Sequence, residues 1–495
     1  MKKPNIMFQG TGSSVGKSIL TAGFCRVLAD RGIGVAPFKS QNMALNSFII
    51  KDQKEMGRAQ VVQAEAARME PKVEMNPILL KPSSDVGSQV IIMGEVYKNM
   101  KADEYHAFKP KLREIVREAY ESLESEVEAI VIEGAGSPAE INLRENDLVN
   151  MGLAELIDAP VVLIGDIDRG GVFASIYGTY MLLTEEERAR IKGFVINKFR
   201  GDVDLLRPGI QMLEEKINIP CLGVVPYFAH HIDDEDSVSN RFDAKDQGEI
   251  RIGIVRLPHI SNFTDFTPFE MEADVTLTYI ENPGQMKDLD FLILPGSKNT
   301  IEDMHYLEKT GLKEGILKTH AQGVPVFGIC GGYQILGEKI IDPNQHESEI
   351  AEIRGLGLLE MDTIISPEKR TVQVKGTLAF DLTESFASKE ISGYEIHMGV
   401  TTKKREYMPF ALLNTGEEDG VVAENASVIG TYLHGVFDNE EPRRAILNQL
   451  RKKKGLQEKT ESEKYDQFKE KEYERLKEQL EQHLEMDKIY EIMGF

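Results

Sequence analysis

The sequence predicts an α/β protein made of two doubly wound domains and a helical tail. Three observations predict it. Runs of strand length are apolar, β-branched and without polar alternation, as in strands buried on both faces. Helical patterns stand between these runs, as crossovers in a parallel sheet would. The pattern then stops in the polar stretch 230–249 and starts again after it, which marks a boundary between two domains in a chain of 495 residues.

The first domain, residues 1–235, opens with two lysines and a short, partly apolar stretch before glycines begin, too short for the core of a signal peptide. Strand-like runs follow at residues 5–9, 34–38, 129–132, 160–164 and 193–196, with a helical pattern at 19–30. Residues 236–249 read as a linker. In the second domain, residues 250–450, the runs are at 250–257, 291–294 and 324–329. From Arg451 to the end, lysine and glutamate dominate and nearly cancel. Tyr473, Leu476, Leu480 and Leu484 lie at helical three- and four-residue spacing, so residues 451–495 read as a helical segment packed by one stripe.

Charge and cysteines narrow the function classes. The 58 Lys and Arg face 81 Asp and Glu, a net charge of −23. That repels nucleic acid and anionic membranes, so neither is an expected partner. Nowhere do about 18 apolar residues run together, so no membrane span is expected. Cys25, Cys221 and Cys330 are too far apart for a disulfide framework or a CxxC metal site, which fits a reducing cytoplasm.

The first candidate site is a phosphate cradle. Gly10-Thr11-Gly12-Ser13-Ser14-Val15-Gly16-Lys17-Ser18 stands between a strand and a helix. Small residues let backbone N–H groups turn toward phosphate oxygens, Lys17 can reach the β and γ oxygens of ATP, and the Ser18 hydroxyl can hold Mg2+. The spacing is stretched relative to GxxxxGK[ST], with threonine at position 11. Such a loop needs a carboxylate at the end of a neighbouring strand to position the metal. Glu133, after the apolar run AIVI, is one candidate; Asp166 and Asp168, after VVLIG, are the other. Asn197-Lys198, after GFVI, resembles a base-reading pair, with Asn197 as the nucleotide contact.

The second candidate site is a cysteine on an elbow. Cys330 stands between the run 324–329 and a helical pattern, with glycines at 328, 331 and 332. A tight turn there projects the sulfur, the helix start favours the thiolate, and the Gly331 N–H can face a developing oxyanion. A second donor can come from Gly296 in Leu294-Pro-Gly-Ser-Lys298. The thiolate needs a base, for which His434, flanked by glycine, and His397 compete.

These residues carry a resemblance that covers essentially the whole chain. It resembles the cobyric acid synthase family, glutamine-hydrolysing amidases of cobalamin biosynthesis. The stretched P-loop is similar to that of dethiobiotin synthetases. Lys39-Ser-Gln-Asn42-Met-Ala-Leu-Asn46, Glu133-Gly-Ala-Gly-Ser-Pro138 and Gly165-Asp-Ile-Asp-Arg169-Gly-Gly-Val-Phe173 look like family motifs. The second half resembles class I, triad-type glutamine amidotransferases of the cobyrinate-amidating branch. The implied folds are a P-loop NTPase-like domain and a flavodoxin-like amidotransferase domain.

The resemblance implies Cys330 as nucleophile and His434 as its base. Most triad amidotransferases carry a glutamate two residues after the histidine; here that position is Val436, and the cobyrinate-amidating branch likewise lacks the glutamate. The group orienting His434 is thereby left open, with Glu395 and Asp438 as candidates. The implied reaction amidates carboxylates b, d, e and g of adenosylcobyrinic acid a,c-diamide, with ATP, Mg2+ and glutamine. Lys39, Asn42, Arg144, Asp166, Asp168, Arg169 and Arg200 are candidate corrinoid contacts. Two alternatives stand beside this reading: the a,c-diamide synthase, which acts earlier on cobyrinic acid, and a partitioning-type P-loop ATPase switch. Nothing in the sequence sets an oligomeric state.

Overall fold

A computed structural model describes residues 2–84, 87–233, 248–380, 390–460 and 462–495. Most of the expected linker, residues 236–247, lies outside them. The chain divides into two compact units: residues 1–44, 55–235 and 469–495 form one, and residues 45–54 and 236–468 form the other. The division is less linear than the expected 1–235, 250–450 and 451–495. A ten-residue run near the amino terminus joins the second unit, and the last 27 residues join the first.

In the first unit a six-stranded parallel sheet has the order Cys221–Pro226, Ile191–Phe199, Val161–Asp166, Asn5–Gly10, Ala129–Glu133, Val35–Phe38. Asn5–Gly10 is central and wholly buried. Met7 faces Val161 on one side and Ile132 on the other. Later strands are added on both sides of this first one, so the sheet changes winding direction there. Crevices at such points, beyond the carboxyl ends of the strands, are where open α/β sheets bind ligands. Helix Lys17–Asp30 leaves the first strand through the glycine-rich loop and buries Leu20, Phe24, Val27 and Leu28. An antiparallel set not anticipated from the sequence pattern, Ile78–Ser84, Gly87–Ile92 and Glu95–Lys101, extends from the short strand Gln41–Met43.

The tail is part of this unit's core. Helix Tyr465–His483 carries the Tyr473, Leu476 and Leu480 stripe, and helix Met486–Met493 adds Ile489 and Met493. All of them cluster with Ile6, Phe8, Leu20, Phe24 and Val27. Burying a leucine is worth about 1.5–3 kcal/mol, so the stripe is a substantial share of the core rather than an accessory. Polar contacts fix its register. The Tyr473 hydroxyl donates to Glu65 at 2.8 Å and the His231 N–H donates to Glu472 at 2.8 Å.

In the second unit a sheet of order Val275–Ile280, Ile250–Val255, Phe291–Leu294, Val326–Ile329, Val428–Thr431 is parallel, and Val421–Val422 closes its edge antiparallel. A second sheet is built on the long antiparallel strands Met361–Leu378 and Glu390–Lys403. Strand Leu433–His434 joins that sheet with Tyr394 opposite His434. Helix Glu440–Lys453 is held by buried ion pairs of Arg443 with Glu272 and of Arg444 with Glu272 and Asp274. No helix among the described residues is long and apolar enough to cross a membrane.

Candidate functional site

In the first unit the glycine-rich loop stands at the carboxyl end of the central strand. Lys17 is buried, and its ammonium donates to the carbonyls of Gly12 at 3.0 Å and Gly136 at 3.1 Å. Thr11 N–H bonds the Ile164 carbonyl at 2.9 Å, while Ser13 and Ser14 are exposed at the loop's tip. The Asn197 amide donates to the Val15 carbonyl at 2.8 Å, and Lys198 donates to that of Ser14 at 2.6 Å. The Asn-Lys pair therefore buttresses the loop from strand Ile191–Phe199, two places from the central strand.

Glu133 ends its strand beside the loop and is fully buried. Its Oε1 accepts from Ser18 Oγ at 2.8 Å and from Lys39 Nζ at 3.0 Å, and its Oε2 from Gln63 Nε2 at 2.5 Å. Burial pushes this carboxyl up. Lys39, Gln63, Ser18 and Lys17 together outweigh it and hold Glu133 below the ordinary glutamate range. Ser18 and Glu133 thus present adjacent oxygens at the helix start. Mg2+ is commonly held by one or two protein oxygens with phosphate and water completing the shell, and this donor pair fits such an ion.

The other candidates fall differently. Asp166 pairs with Lys198 at 3.0 Å and Asp168 with Arg200 at 2.9 Å. Neither is bonded to Ser18, so of the two carboxylate options the geometry favours Glu133. Lys39 is spent on Glu133, and the Asn42 amide donates to Gln60 at 2.8 Å. Arg144 pairs with Glu187 at 2.9 Å, Arg200 stacks 3.4 Å over the Tyr227 ring, and Arg169 is exposed. Gln63, on the almost wholly buried helix Arg58–Ala66, escaped the sequence reading, since a lone glutamine carries no signal of its own.

In the second unit Cys330 has φ 51° and ψ −108° between strand Val326–Ile329 and helix Gly331–Leu336. A non-glycine residue in this conformation costs of order 1–3 kcal/mol and is held by its surroundings. Its N–H bonds the Thr431 carbonyl at 2.8 Å, and its sulfur lies 3.6 Å from the Ile396 carbonyl. The short strand Gly296–Ser297 runs alongside. A Cβ on Gly331 would lie 2.7 Å from the Ser297 nitrogen, and one on Gly296 would lie 3.1 Å from His434 Cε1. A Cβ at 331 would push against the Ser297 backbone and one at 296 would press on its neighbours, so the two glycines let the expected oxyanion donors, Gly296 and Gly331, lie close to the cysteine and the histidine.

His434 is fully buried and stacks on Tyr394, with ring centres 5.2 Å apart. Its Nδ1 lies 2.7 Å from Asp265 Oδ2, and Asp265 Oδ1 accepts the Gly435 N–H at 2.9 Å. Burial favours the neutral ring, but the Asp265 charge and hydrogen bond, helped by Cys330, push His434 up to about 10. Its Nε2 is buried and makes no hydrogen bond among the described residues. A nitrogen in that state is available to a proton that must move.

The orienting group is therefore Asp265, neither of the two candidates drawn from sequence. Glu395 pairs with Arg370 and lies 3.6 Å from His397, and Asp438 ends the turn after the histidine. His397 stacks on Tyr432, and its Nδ1 engages the Gly399 carbonyl at 2.8 Å, so it is committed elsewhere. Asp265 sits in Asn262-Phe-Thr-Asp-Phe266, where an aspartate between two buried phenylalanines was the one sign available.

Each half of the chain matches a known family. Residues 6–237 match the family described as CobQ/CobB/MinD/ParA nucleotide binding domain, and residues 251–442 match the CobB/CobQ-like glutamine amidotransferase domain. The chain is 52% identical to a cobyric acid synthase of Alkaliphilus metalliredigens over 98% of its own length and 99% of that protein. It is 50% identical to one of Clostridium botulinum, over 99% of both chains. A third, from Streptococcus sanguinis, is 52% identical over 99% of this chain and 98% of that one.

Proposed function

This chain belongs to the cobyric acid synthase family, and on that premise we propose which of its residues carry each half of an ATP- and glutamine-dependent amidation in cobalamin synthesis. Two observations carry the assignment: Cys330, His434 and Asp265 converge within one unit, and the other unit holds a P-loop with Ser18 bonded to Glu133.

The chemistry explains why both are needed. A carboxylate is a poor electrophile and its oxygen a poor leaving group, so ammonia does not amidate it at neutral pH. ATP with Mg2+ supplies the phosphoryl group that makes the carboxylate an acyl phosphate. Lys17 and the loop N–H groups hold the phosphates, Ser18 and Glu133 are the oxygens for the ion, and Asn197 keeps the loop in shape.

In the second unit His434 Nε2 takes the Cys330 thiol proton as the sulfur attacks the side-chain amide carbon of glutamine. The oxygen of the tetrahedral intermediate faces the Gly331 and Gly296 side of the pocket. His434 gives its Nε2 proton to the departing nitrogen, and ammonia leaves with a thioester on Cys330. The histidine then takes a proton from water, which hydrolyses the thioester to glutamate and restores the thiol. Asp265 keeps the ring turned so that Nε2, not Nδ1, does this work. The ammonia displaces phosphate from the acyl phosphate.

The substrate is adenosylcobyrinic acid a,c-diamide, amidated at carboxylates b, d, e and g. Of the earlier candidates, Arg169 remains exposed for an anionic edge; Lys39 and Asn42 act instead by holding the pocket's interior. Mass spectrometry after incubation with ATP and glutamine tests this: four amidations of the a,c-diamide are the expected result. Turnover of cobyrinic acid alone would assign the earlier step.

A further inference from the structure

Residues 45–54 precede most of the first unit in chain order yet group with the second. Within the second unit this run meets the catalytic histidine's surroundings from two sides. On one side, Asn46 Oδ1 accepts the N–H of Phe263 at 3.2 Å, and the Ser47 N–H donates to Asn262 Oδ1 at 3.1 Å. Asn262, at φ 52°, starts the turn Phe263–Phe266, and its carbonyl takes the N–H of Asp265 at 3.0 Å. Two hydrogen bonds from the run thus fix the turn that carries Asp265.

On the other side, the Ser47 carbonyl accepts the Tyr394 hydroxyl at 3.3 Å, and the Phe48 ring meets Tyr394 edge-on at 5.0 Å. Tyr394 is the residue stacked on His434. Ile49 is buried with Tyr394 and Ile396, the residue whose carbonyl faces the Cys330 sulfur, and its own carbonyl accepts from Gln373 Nε2 at 2.6 Å.

We propose that Asn46–Ile49 is a positioning clip for the glutaminase centre, with Asn46 and Ser47 setting Asp265 and with Ser47 and Phe48 setting Tyr394 against His434. These are positioning residues; none touches the reacting atoms. Asn46, Ser47, Asn262 and Asp265 are at most 3% exposed. Loss of the Asn46 acceptor leaves the Phe263 N–H buried and unsatisfied, and the turn moves to relieve it. Displacements of this kind of about 1 Å cost up to about 100-fold in rate. This role rests on reading Cys330, His434 and Asp265 as glutaminase residues.

The full-length protein carries the test, in N46A, N46D and Y394F. Glutamate release from glutamine is measured against amidation of the a,c-diamide with ATP and ammonium chloride. For N46A the expected result is a fall of about tenfold or more in glutaminase kcat. Its KM for glutamine changes less than threefold, its pH–rate profile shifts, and ammonia-dependent amidation is unaltered. N46D, which keeps the acceptor, recovers most of the rate. N46A within twofold of wild type, or an unshifted pH profile, or equal loss of both activities, overturns the clip. Should N46A give no melting transition, Y394F decides: a severalfold glutaminase loss with intact ammonia-dependent amidation supports the clip, and no loss overturns it. Failure of the underlying reading looks different, since wild type would then release no glutamate or C330S would leave release intact.

Discussion

His434 Nδ1 lies 2.7 Å from Asp265 Oδ2, across 169 residues of sequence, and both side chains are buried. The same carboxylate takes the Gly435 N–H, so one group sets both the ring and the backbone that carries it. The usual glutamate two residues after the histidine is Val436 here, itself buried. The charge on the ring comes here from the turn Phe263–Phe266, far from the histidine in sequence.

Asp265→Asn tests the consequence. An asparagine can present either nitrogen or oxygen to Nδ1 and no longer selects the productive tautomer. Glutaminase kcat is expected to fall about 10²–10⁴-fold, with amidation from free ammonia retained. Coupled assays of glutamate and of ammonia-driven product read the two separately.

The same pair makes a pH prediction. His434 is raised from 6.5 to about 10 in the folded protein. A raised folded value stabilises fully below the unfolded one and is lost as pH climbs through the folded one. The difference in melting temperature between wild type and Asp265→Asn is therefore largest near pH 6 and shrinks toward pH 10. Thermal melts across that range measure it, and a difference that grows with pH would contradict the assignment.

Glu133→Gln separates the halves from the other direction. It removes the charge that accepts from Ser18 and pairs with Lys39. Amidation from either nitrogen source is expected to fall about 10²-fold or more. Glutamine hydrolysis, which uses none of these atoms, persists when assayed alone.

Leu480→Ala tests the tail. The side chain is wholly buried in the first unit's core. The substitution is expected to cost about 2–5 kcal/mol in chemical denaturation. A change below 0.5 kcal/mol, the usual scale of surface substitutions, would mean that the helix does not pack there.

The two chemical centres were legible in the sequence because each is local. Residues 10–18 form a contiguous loop whose small residues and lysine carry their own meaning, and Cys330 stands in its own elbow of glycines. What could not be read depends on contacts between distant stretches. Asp265 meets His434 only once the second sheet has formed, and no spacing rule links them. Lys39 looked like a free cation for an anionic substrate, yet its charge is committed to Glu133 through the folded sheet. The stripe Tyr473, Leu476, Leu480 announced a packed helix without naming the surface beneath it. Residues 45–54 show no periodicity that distinguishes a strand of one unit from a strand of the other.

The interleaving of the chain has a genetic consequence. Its path changes unit after residues 44, 54, 235 and 468. No single break divides it into one polypeptide per activity. A gene fission at the polar stretch would leave the amidotransferase half without residues 45–54 and the ligase half without the Tyr473–Leu480 stripe. Each product of such a split would lack a piece of its own unit. For the experimenter it means that the two reactions are best separated by point substitution rather than by truncation.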